Sequence, residues 1–185
     1  MNIVFVTGNK PKVREAEQIL DIPLEIEDVD LDEIQELDLE KVALHKINQA
    51  YKIVGKPVII DDVSVEIDAW KGFPGPLIKW VLKSSGGSAE LILKLLEGEK
   101  NRKAKARLAI GFHDGKKAHI FYGEVDGTIS DEIRGENGFG WDPVFIPEGE
   151  TQTFAEMDPH YKNTLSHRKR ALDKLSDFLK REYDI

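Results

Sequence analysis

Two short runs of apolar residues limit the folds open to this chain. Residues 2–7 are centred on Ile-Val-Phe-Val, and residues 58–60 are Val-Ile-Ile. Runs of this length and composition predict strands that are covered on both faces. Each run adjoins a segment with apolar residues at helical spacing, one beginning near Pro11 and the other after Asp38. The pattern therefore predicts an α/β fold, with helices packed on the faces of a sheet.

The second half of the chain predicts a hairpin. Alternating segments at 106–112 and 118–125 flank Asp114-Gly115, which is a strong two-residue turn signal. The remaining expected elements are strands at 63–68 and 144–146, and helices at 77–83, 89–97 and from about Ser166 onward. Early alternation of strands and helices followed by a hairpin predicts a mixed β-sheet.

Composition narrows the class of protein. The chain has 185 residues, the size of one large domain or of two lobes that share a core. It has no cysteine, which excludes disulfides and zinc–thiolate sites and favours a cytoplasmic location. A net charge of −8 argues against nucleic acid as a partner. No apolar run approaches the roughly 20 residues of a membrane span, and the N-terminal run lacks the basic flank of a signal peptide.

The turn between the first strand and the first helix is a candidate phosphate site. Backbone N–H groups at a helix start can bind an anion. Three cations lie between positions 10 and 14, at the positive end of the helix dipole, where cations are unfavourable unless an anion binds. A solvated basic turn is the alternative. The residues of this turn are Thr7, Gly8, Asn9, Lys10, Pro11 and Lys12.

A second basic segment precedes the C-terminal helix. Residues 162–170 carry five basic side chains, counting His167, around Ser166, which is a candidate N-cap. We expect His167 and Arg168 to contact phosphate or base. The other basic side chains at 169 and 170 are expected to face water.

Acidic residues at the end of the 58–60 run predict a metal or proton-transfer site. Asp61 and Asp62 follow the apolar run directly, and paired carboxylates suit a hard cation such as Mg²⁺. A solvated turn is the alternative. Lys46 lies on or beside the apolar stripe of its helix, so it either extends its ammonium to water or directs it at a phosphate. Glu33 and Glu36, in an acidic stretch, are candidates for a further ligand.

An aromatic segment is a candidate for base binding. Phe139, Gly140, Trp141 and Asp142 place two aromatic rings around a glycine, followed by a carboxylate. Rings of this kind stack on bases, although a core aromatic pair beside a turn is the alternative. The glycine spacings of P-loop and dinucleotide-binding motifs are absent from the sequence.

In combination these segments resemble the inosine triphosphate pyrophosphatase family, the Ham1-like pyrophosphatases of non-standard purine nucleotides. The resemblance extends over nearly the whole chain and depends on several motifs occurring in order. They are Thr7-Gly8-Asn9-x-x-Lys12, Asp61-Asp62, Gly72-Phe73-Pro74-Gly75-Pro76, Phe139-Gly140-Trp141-Asp142-Pro143, Phe154-Ala155-Glu156-Met157 and Ser166-His167-Arg168.

The resemblance implies a single two-lobed domain over residues 1–185, with an elongated mixed sheet flanked by helices and a central nucleotide-binding cleft. It implies a homodimer with no nucleic-acid or membrane partner. The implied reaction is Mg²⁺-dependent hydrolysis of ITP, dITP or XTP between the α and β phosphates, which releases a nucleoside monophosphate and pyrophosphate.

The resemblance also implies roles for individual residues. The 7–12 turn and Lys46 would hold phosphates, and Asp62 would accept a proton and bind the metal, with Asp61 and either Glu33 or Glu36. The expected nucleoside-binding residues are Phe139, Gly140, Trp141, Asp142, Lys162, His167 and Arg168. Val63 departs from the Ser or Thr common in the family, so any substrate contact there must use its backbone.

Two other functions are compatible with the same segments. One is a Maf-type nucleotide pyrophosphatase of similar fold that prefers other bases. The second is a nucleotide-binding module without catalysis. The Ser-His-Arg and Phe-Gly-Trp-Asp segments argue against the first, and the combination of Asp61, Asp62 and Lys46 argues against the second.

Overall fold

A computed structural model describes residues 2–183 and shows an α/β protein with a mixed sheet. The strands are β1 (Val4–Val6), β2 (Glu25–Glu27), β3 (Val58–Ile67), β4 (Pro74–Gly75), β5 (Lys103–His113), β6 (Ala118–Ile129) and β7 (Phe145–Pro147). The helices are α1 (Lys10–Leu20), α2 (Leu39–Val54), α3 (Ile78–Ser84), α4 (Glu90–Leu95), α5 (Pro159–Leu165) and α6 (His167–Tyr183). Short 3₁₀ helices cover Asp68–Trp70 and Asp142–Val144.

The seven strands form one sheet in the order β2-β1-β3-β5-β6-β7, with β4 also paired to β3. β1 runs parallel to both β2 and β3, with Val4 opposite Glu25 on one side and Val58 on the other. β4 is antiparallel to β3, and β7 is antiparallel to β6. The sheet is therefore mixed and flanked by helices, as the sequence predicts.

The first two helices begin and end where their capping residues indicate. Asn9 caps α1 by accepting a hydrogen bond from the Lys12 N–H, and Pro11 lies in the first turn. Asp38 caps α2 through the Glu40 N–H, and Gly55 ends this helix in the left-handed conformation.

The prediction of two separate strands at 58–60 and 63–68 is wrong. β3 is continuous from Val58 to Ile67, so Asp61 and Asp62 lie within a strand and not in a turn after it. The physical reason is that both carboxylates have cationic partners supplied by helices far away in the sequence. A strand can carry such charges when they are paired.

The chain divides into two compact units, and each has its own core. The first unit contains the chain up to Asp62, Leu108–Gly123 and the segment from His167 onward. Its core packs α2 against the sheet, and α1 packs against α6. The second unit contains Val63–Arg107 and Glu124–Ser166. Its core gathers the far halves of β3, β5 and β6 with α3, α4 and an aromatic group around Phe145. The assignment of residues 1–185 to one two-lobed domain stays a prediction.

The strands β2 and β4, helix α5 and the two short 3₁₀ helices are additional to the elements expected from sequence. β2 is a three-residue strand at the end of the sheet order, beside β1. α5 begins at Pro159 after Asp158, whose side chain accepts from the backbone N–H groups of His160 and Tyr161. Within residues 2–183, no helix combines the length and the apolar character needed to cross a membrane.

Candidate active site

The turn before α1 has the geometry of a helix start that can receive an anion. The Thr7 hydroxyl accepts from the Asn9 N–H at 3.1 Å, and the Asn9 side chain accepts from the Lys12 N–H at 3.4 Å. The first turn of α1 carries no acidic residue to offset its cations. Lys10 and Pro11 are exposed at this end of the helix. The positive charge of the first turn comes from the backbone N–H groups together with Lys10 and Lys12.

Asp28 lies against this turn and was not singled out by the sequence. A Cβ at Gly8 would lie 2.8 Å from a carboxylate oxygen of Asp28. The Asp28 carboxylate therefore takes up the space that a side chain at position 8 would need. Its contact with the turn depends on the pairing of β1 with β2, where the Thr7 N–H donates to the Glu27 carbonyl at 3.0 Å.

Asp61 anchors two cations from different helices. Its Oδ1 accepts from the Lys12 ammonium at 2.7 Å, and its Oδ2 accepts from the Arg168 guanidinium at 3.0 Å. Arg168 also donates to Glu15 at 2.7 Å, and both Asp61 and Arg168 are buried. Burial acts to raise the pKa of Asp61, but the charges of Lys12 and Arg168 outweigh it and hold the pKa well below its usual range. Asp61 is therefore ionised, with both oxygens engaged.

Asp62 has a different environment. Its Oδ1 accepts from the Lys46 ammonium at 3.0 Å, while Lys46 also donates to the Asp61 carbonyl at 3.2 Å. Its Oδ2 is buried and accepts no hydrogen bond from residues 2–183. Burial raises the pKa of Asp62 above its ordinary value, in spite of the nearby ammonium. A mostly buried carboxylate with an uncommitted oxygen and a raised pKa is suited to accept a proton.

The opposite pKa shifts of these neighbours come from the alternation of side chains along β3. Consecutive strand residues point to opposite faces of a sheet. Asp61 contacts residues of α1 and α6, whereas Asp62 contacts Lys46 of α2. The pKa of one aspartate is thus lowered and that of its neighbour raised, and opposite shifts of this kind are typical of paired catalytic carboxylates.

Glu33 and Glu36 differ in their surroundings. Burial acts to lower the pKa of Lys46, but the charges of Asp62, Asp61 and Glu33 raise it above its usual value. Glu33 therefore lies close enough to Lys46 for its charge to raise the pKa of the ammonium. The Glu36 carboxylate accepts from the backbone N–H groups of residues 37 and 38, at 2.8 and 3.2 Å, and its pKa is lowered.

The structure gives one positive indication for a cation at this place. The Asp62 Oδ2 is a buried oxygen donor without a hydrogen-bond partner in the described chain, and carboxylate oxygens are the ligands that Mg²⁺ prefers. Among residues 2–183, no three acidic or histidine side chains form a complete metal-binding group. A cation here would need further oxygens from outside the protein, such as phosphate or water, which is the usual condition of Mg²⁺ in nucleotide enzymes.

The second unit contains a separate buried ion pair. The Lys162 ammonium donates to the Asp142 Oδ2 at 2.8 Å, and the two side chains are 5% and 4% exposed. The same oxygen accepts from the Phe139 N–H at 2.8 Å. Lys162 also lies over the Phe139 ring, 5.2 Å from its centre. Gly138 is left-handed, and a Cβ there would lie 2.2 Å from the Asp142 carboxylate.

The two aromatic residues of this segment occupy different environments. Trp141 is buried and packs against Phe145 and Phe154, so its ring belongs to the core of the second unit. Phe139 is half-buried beside Lys162. Gly140 between them is left-handed, with φ of 65°. Stacking of either ring on a base stays a prediction, and Phe139 is the better placed.

The basic residues around the start of α6 do not act as one group. Lys162 belongs to α5 in the second unit, and Arg168 belongs to the first unit. Lys169 makes an ion pair with Asp173 one turn later. His167 begins α6 and is buried, with its carbonyl 1.9 Å from where a Cβ of Gly123 would lie. α6 therefore starts in direct contact with β6.

Glu15 was not predicted as a site residue, and Val63 was expected to contact substrate only through its backbone. Glu15 holds Arg168 from α1, and its spacing from Lys12 on one helix face is the only sequence signal for it. Val63 is half-buried and packs against the core of the second unit.

A mixed sheet covered by helices, a cation-bearing helix start and two adjacent aspartates paired with cations are together features typical of an α/β phosphate-binding protein. Comparison with known proteins gives the family. The Ham1 family model matches residues 3–178, so this chain belongs to the Ham1 family, and the resemblance seen in the sequence is confirmed.

Its relatives carry consistent names. The chain is 45% identical to a dITP/XTP pyrophosphatase of Methanopyrus kandleri, with 97% of each chain covered. It is 44% identical to an inosine triphosphate pyrophosphatase of Candida glabrata, with 96% of each covered. A HAM1 protein from Coxiella burnetii has the same fold, with a TM-score of 0.85, 31% identity and coverage of 98% of this chain and 99% of that one.

Proposed function

We propose that this protein is an enzyme that hydrolyses non-standard purine nucleoside triphosphates, namely ITP, dITP and XTP, to the nucleoside monophosphate and pyrophosphate. The names of relatives that match nearly the whole chain support the substrate class. The observation that carries the chemistry is the pair of adjacent aspartates whose pKa values are displaced in opposite directions, beside two lysines.

The first unit supplies the groups that would hold the triphosphate. Lys12 and Lys46 place two ammonium groups beside the aspartates, 17% and 16% exposed, so their charges are only partly screened by water. Thr7, Gly8 and Asn9 would add backbone N–H groups at the start of α1, with Lys10 and Pro11 beside them. These groups would stabilise negative charge that develops on the phosphates during bond cleavage.

Asp62 would act as the proton acceptor. Water attacks a phosphorus of the α–β anhydride, its proton passes to the Asp62 carboxylate, and the bridging oxygen leaves with the other phosphate. Lys46, which touches the Asp62 Oδ1, holds the carboxylate in place and would donate to a phosphate oxygen. Asp61 would keep Lys12 and Arg168 charged and aligned.

Mg²⁺ is the proposed cofactor. Asp62 and Glu33 would hold it, with Asp61 and Glu36 as the remaining carboxylates of the acidic set. Asp61 has both oxygens bound to cations, and Glu36 is engaged at the start of α2, so these two are less well suited. When bound, the ion supplies positive charge that neutralises the triphosphate and orients it.

The second unit would read the base. Lys162 carries N–H donors that match the keto oxygen shared by hypoxanthine and xanthine, where adenine has an amine. A site built to donate there leaves buried donors unpaired when adenine binds, which rejects ATP. Asp142 fixes the ammonium, and Phe139, Gly140 and Trp141 form the adjoining segment. His167 and Arg168, which belong to the first unit, are also proposed to bind substrate, and Val63 would do so through its backbone.

We also propose that the protein forms a homodimer and acts in the cytoplasm. Relatives that are covered over nearly their full length, with names of nucleotide pyrophosphatases, support a role in clearing the nucleotide pool.

The test is product analysis with purified protein and Mg²⁺. ITP, XTP, ATP and GTP are supplied separately, and pyrophosphate and orthophosphate are measured independently. Pyrophosphate from ITP and XTP, with little from ATP or GTP, is the expected result. Release of orthophosphate would refute α–β cleavage, and equal rates with all four nucleotides would refute the base selectivity.

A further inference from the structure

Two irregular segments of the second unit, 134–137 and 151–157, are fastened together by contacts that the proposed chemistry does not use. The Arg134 guanidinium donates to the Glu156 carboxylate at 2.7 Å. The Thr153 hydroxyl donates back to the Arg134 carbonyl at 2.7 Å. We refer to Arg134, Thr153 and Glu156 as the loop clamp.

Glu156 is the centre of the clamp. The oxygen that accepts from Arg134 also accepts from the Thr153 N–H at 2.8 Å, while the Glu156 N–H donates to the Thr153 hydroxyl at 3.3 Å. This reciprocal pattern is that of a capping box, which fixes a tight turn. Arg134 also reaches the Thr151 carbonyl at 2.6 Å. The Arg134 guanidinium holds the pKa of Glu156 below its ordinary value, so the pair is charged at neutral pH.

Backbone contacts extend the junction. Asn137 donates from its backbone N–H to the Ala155 carbonyl at 2.9 Å and from its side chain to the Met157 carbonyl at 3.0 Å. Gly135 has φ of 86°, and a Cβ there would lie 2.2 Å from the Ala155 carbonyl carbon. The segments thus meet backbone to backbone beside the clamp.

The two joined segments precede the two partners of the buried ion pair, Asp142 and Lys162. The first leads into Phe139 and Asp142, and the second leads into α5, which carries Lys162. The Ala155 N–H also donates to the Asp142 carbonyl at 3.3 Å. The separation of the Asp142 carboxylate and the Lys162 ammonium therefore depends on how the segments are joined.

We propose that the Arg134–Glu156 pair is a positioning element for base recognition, which sets Lys162 against Asp142 through the backbone of the two segments. The inference rests on the proposed function, since it assumes that Lys162 and Asp142 read the base. The pair is 30% and 27% exposed, so its direct contribution to stability is small. Its effect is expected in nucleotide affinity and not in thermal stability.

The experiment compares Arg134→Ala and Glu156→Gln with wild type. Arg134→Lys tests rescue by a retained charge. Arg107→Ala is the matched control, because Arg107 is 29% exposed in the same unit and pairs with Glu66 and Glu124 at 2.9 and 2.7 Å. KM and kcat are measured with ITP, together with inhibition by inorganic triphosphate, which has phosphates but no base. Thermal unfolding is recorded for every variant.

The expected result is a KM for ITP raised about tenfold in Arg134→Ala and Glu156→Gln, with kcat changed less than about threefold. Arg134→Lys should recover part of the affinity. Inhibition by inorganic triphosphate should be unchanged in all variants, and Arg107→Ala should resemble wild type.

Two results would overturn the inference. One is an unchanged KM for ITP in both Arg134→Ala and Glu156→Gln. The other is an equal loss of affinity for ITP and inorganic triphosphate, which would show general disruption and not base positioning. Failure of the proposed function is recognised separately, because wild type would then release no pyrophosphate from ITP. In that case, the dissociation constant of ITP is measured by calorimetry for the same variants, and weaker binding in Arg134→Ala and Glu156→Gln than in wild type would support the role of the clamp.

Discussion

Replacement of Asp62 by asparagine should mainly lower kcat, whereas the same replacement of Asp61 should mainly lower stability and nucleotide affinity. In Asp62→Asn, the amide oxygen can keep the 3.0 Å contact with the Lys46 ammonium, and an NH₂ group replaces the buried Oδ2. Size and packing are preserved, but the proton acceptor is lost. General-base catalysis contributes about 10²–10⁴-fold in rate, or about 3–5 kcal/mol of barrier. We expect kcat for ITP to fall by that factor, with nucleotide binding retained at saturating Mg²⁺.

Asp61→Asn is the matched comparison. It removes the negative charge that pairs with Lys12 and with Arg168, and Arg168 is only 4% exposed. Loss of one partner from a buried ion pair costs about 3–5 kcal/mol. We therefore expect a lower free energy of unfolding and a raised KM. The loss of kcat should be smaller than that of Asp62→Asn.

Steady-state kinetics, ITP calorimetry and urea unfolding of both variants check these expectations. The pH dependence adds a further measure, because the raised pKa of Asp62 predicts that kcat/KM of wild type rises with pH through a midpoint above that of an ordinary aspartate. The reasoning is refuted if Asp62→Asn turns over ITP at the wild-type rate. It is also refuted if Asp61→Asn alone abolishes kcat without a change in stability.

Other perturbations test separate parts of the structure. Lys12→Met should raise KM for ITP and lower stability by about 3 kcal/mol, because the buried Asp61 loses one of its two cationic partners; kinetics and urea unfolding measure both effects. Gly123→Ala should destabilise by about 3 kcal/mol or more, since its Cβ would meet the backbone of α6; denaturant unfolding checks this, and wild-type stability would contradict it. Asp114 has a lowered pKa because backbone N–H groups, Tyr183 and His119 outweigh its burial, so its stabilisation is present above about pH 4 and is lost as pH falls; Asp114→Asn should unfold with a shallower acid dependence. Chelation by EDTA should abolish turnover, and added Mg²⁺ should restore it; activity that persists in EDTA would remove the metal from the proposal.

Much of the fold follows from local signals in the sequence. α2 is predictable because Asp38 and Gly55 mark its ends and apolar residues recur at helical spacing between them. α5 also has a local signal, Asp158 followed by Pro159, but it is only seven residues long and its apolar pattern is short. β3 was divided in the prediction because two consecutive aspartates are typical of a turn.

The candidate site was less accessible to prediction, since its key contacts join distant residues. Asp61 and Arg168 are separated by 107 positions, and nothing local indicates that they pair. The sequence suggested that Arg168 contacts a ligand, whereas its visible partners are Asp61 and Glu15. Lys46 could equally have faced water, and only tertiary structure directs it to Asp62. Long-range charge pairing is decided by the fold and leaves no periodic pattern in the sequence.

The interleaving of the two units along the chain has a consequence for biosynthesis. During translation the second unit has all of its residues once Ser166 has been made, whereas the first unit still lacks α6 at that point. α1, among the first segments made, must wait for α6 to cover it. Arg168, which neutralises Asp61, also arrives late, so the buried aspartate lacks one of its cations until the last helix emerges. A ribosome-bound chain that stops before α6 should therefore have a folded second unit and an exposed, incomplete first unit that is a substrate for chaperones and proteases.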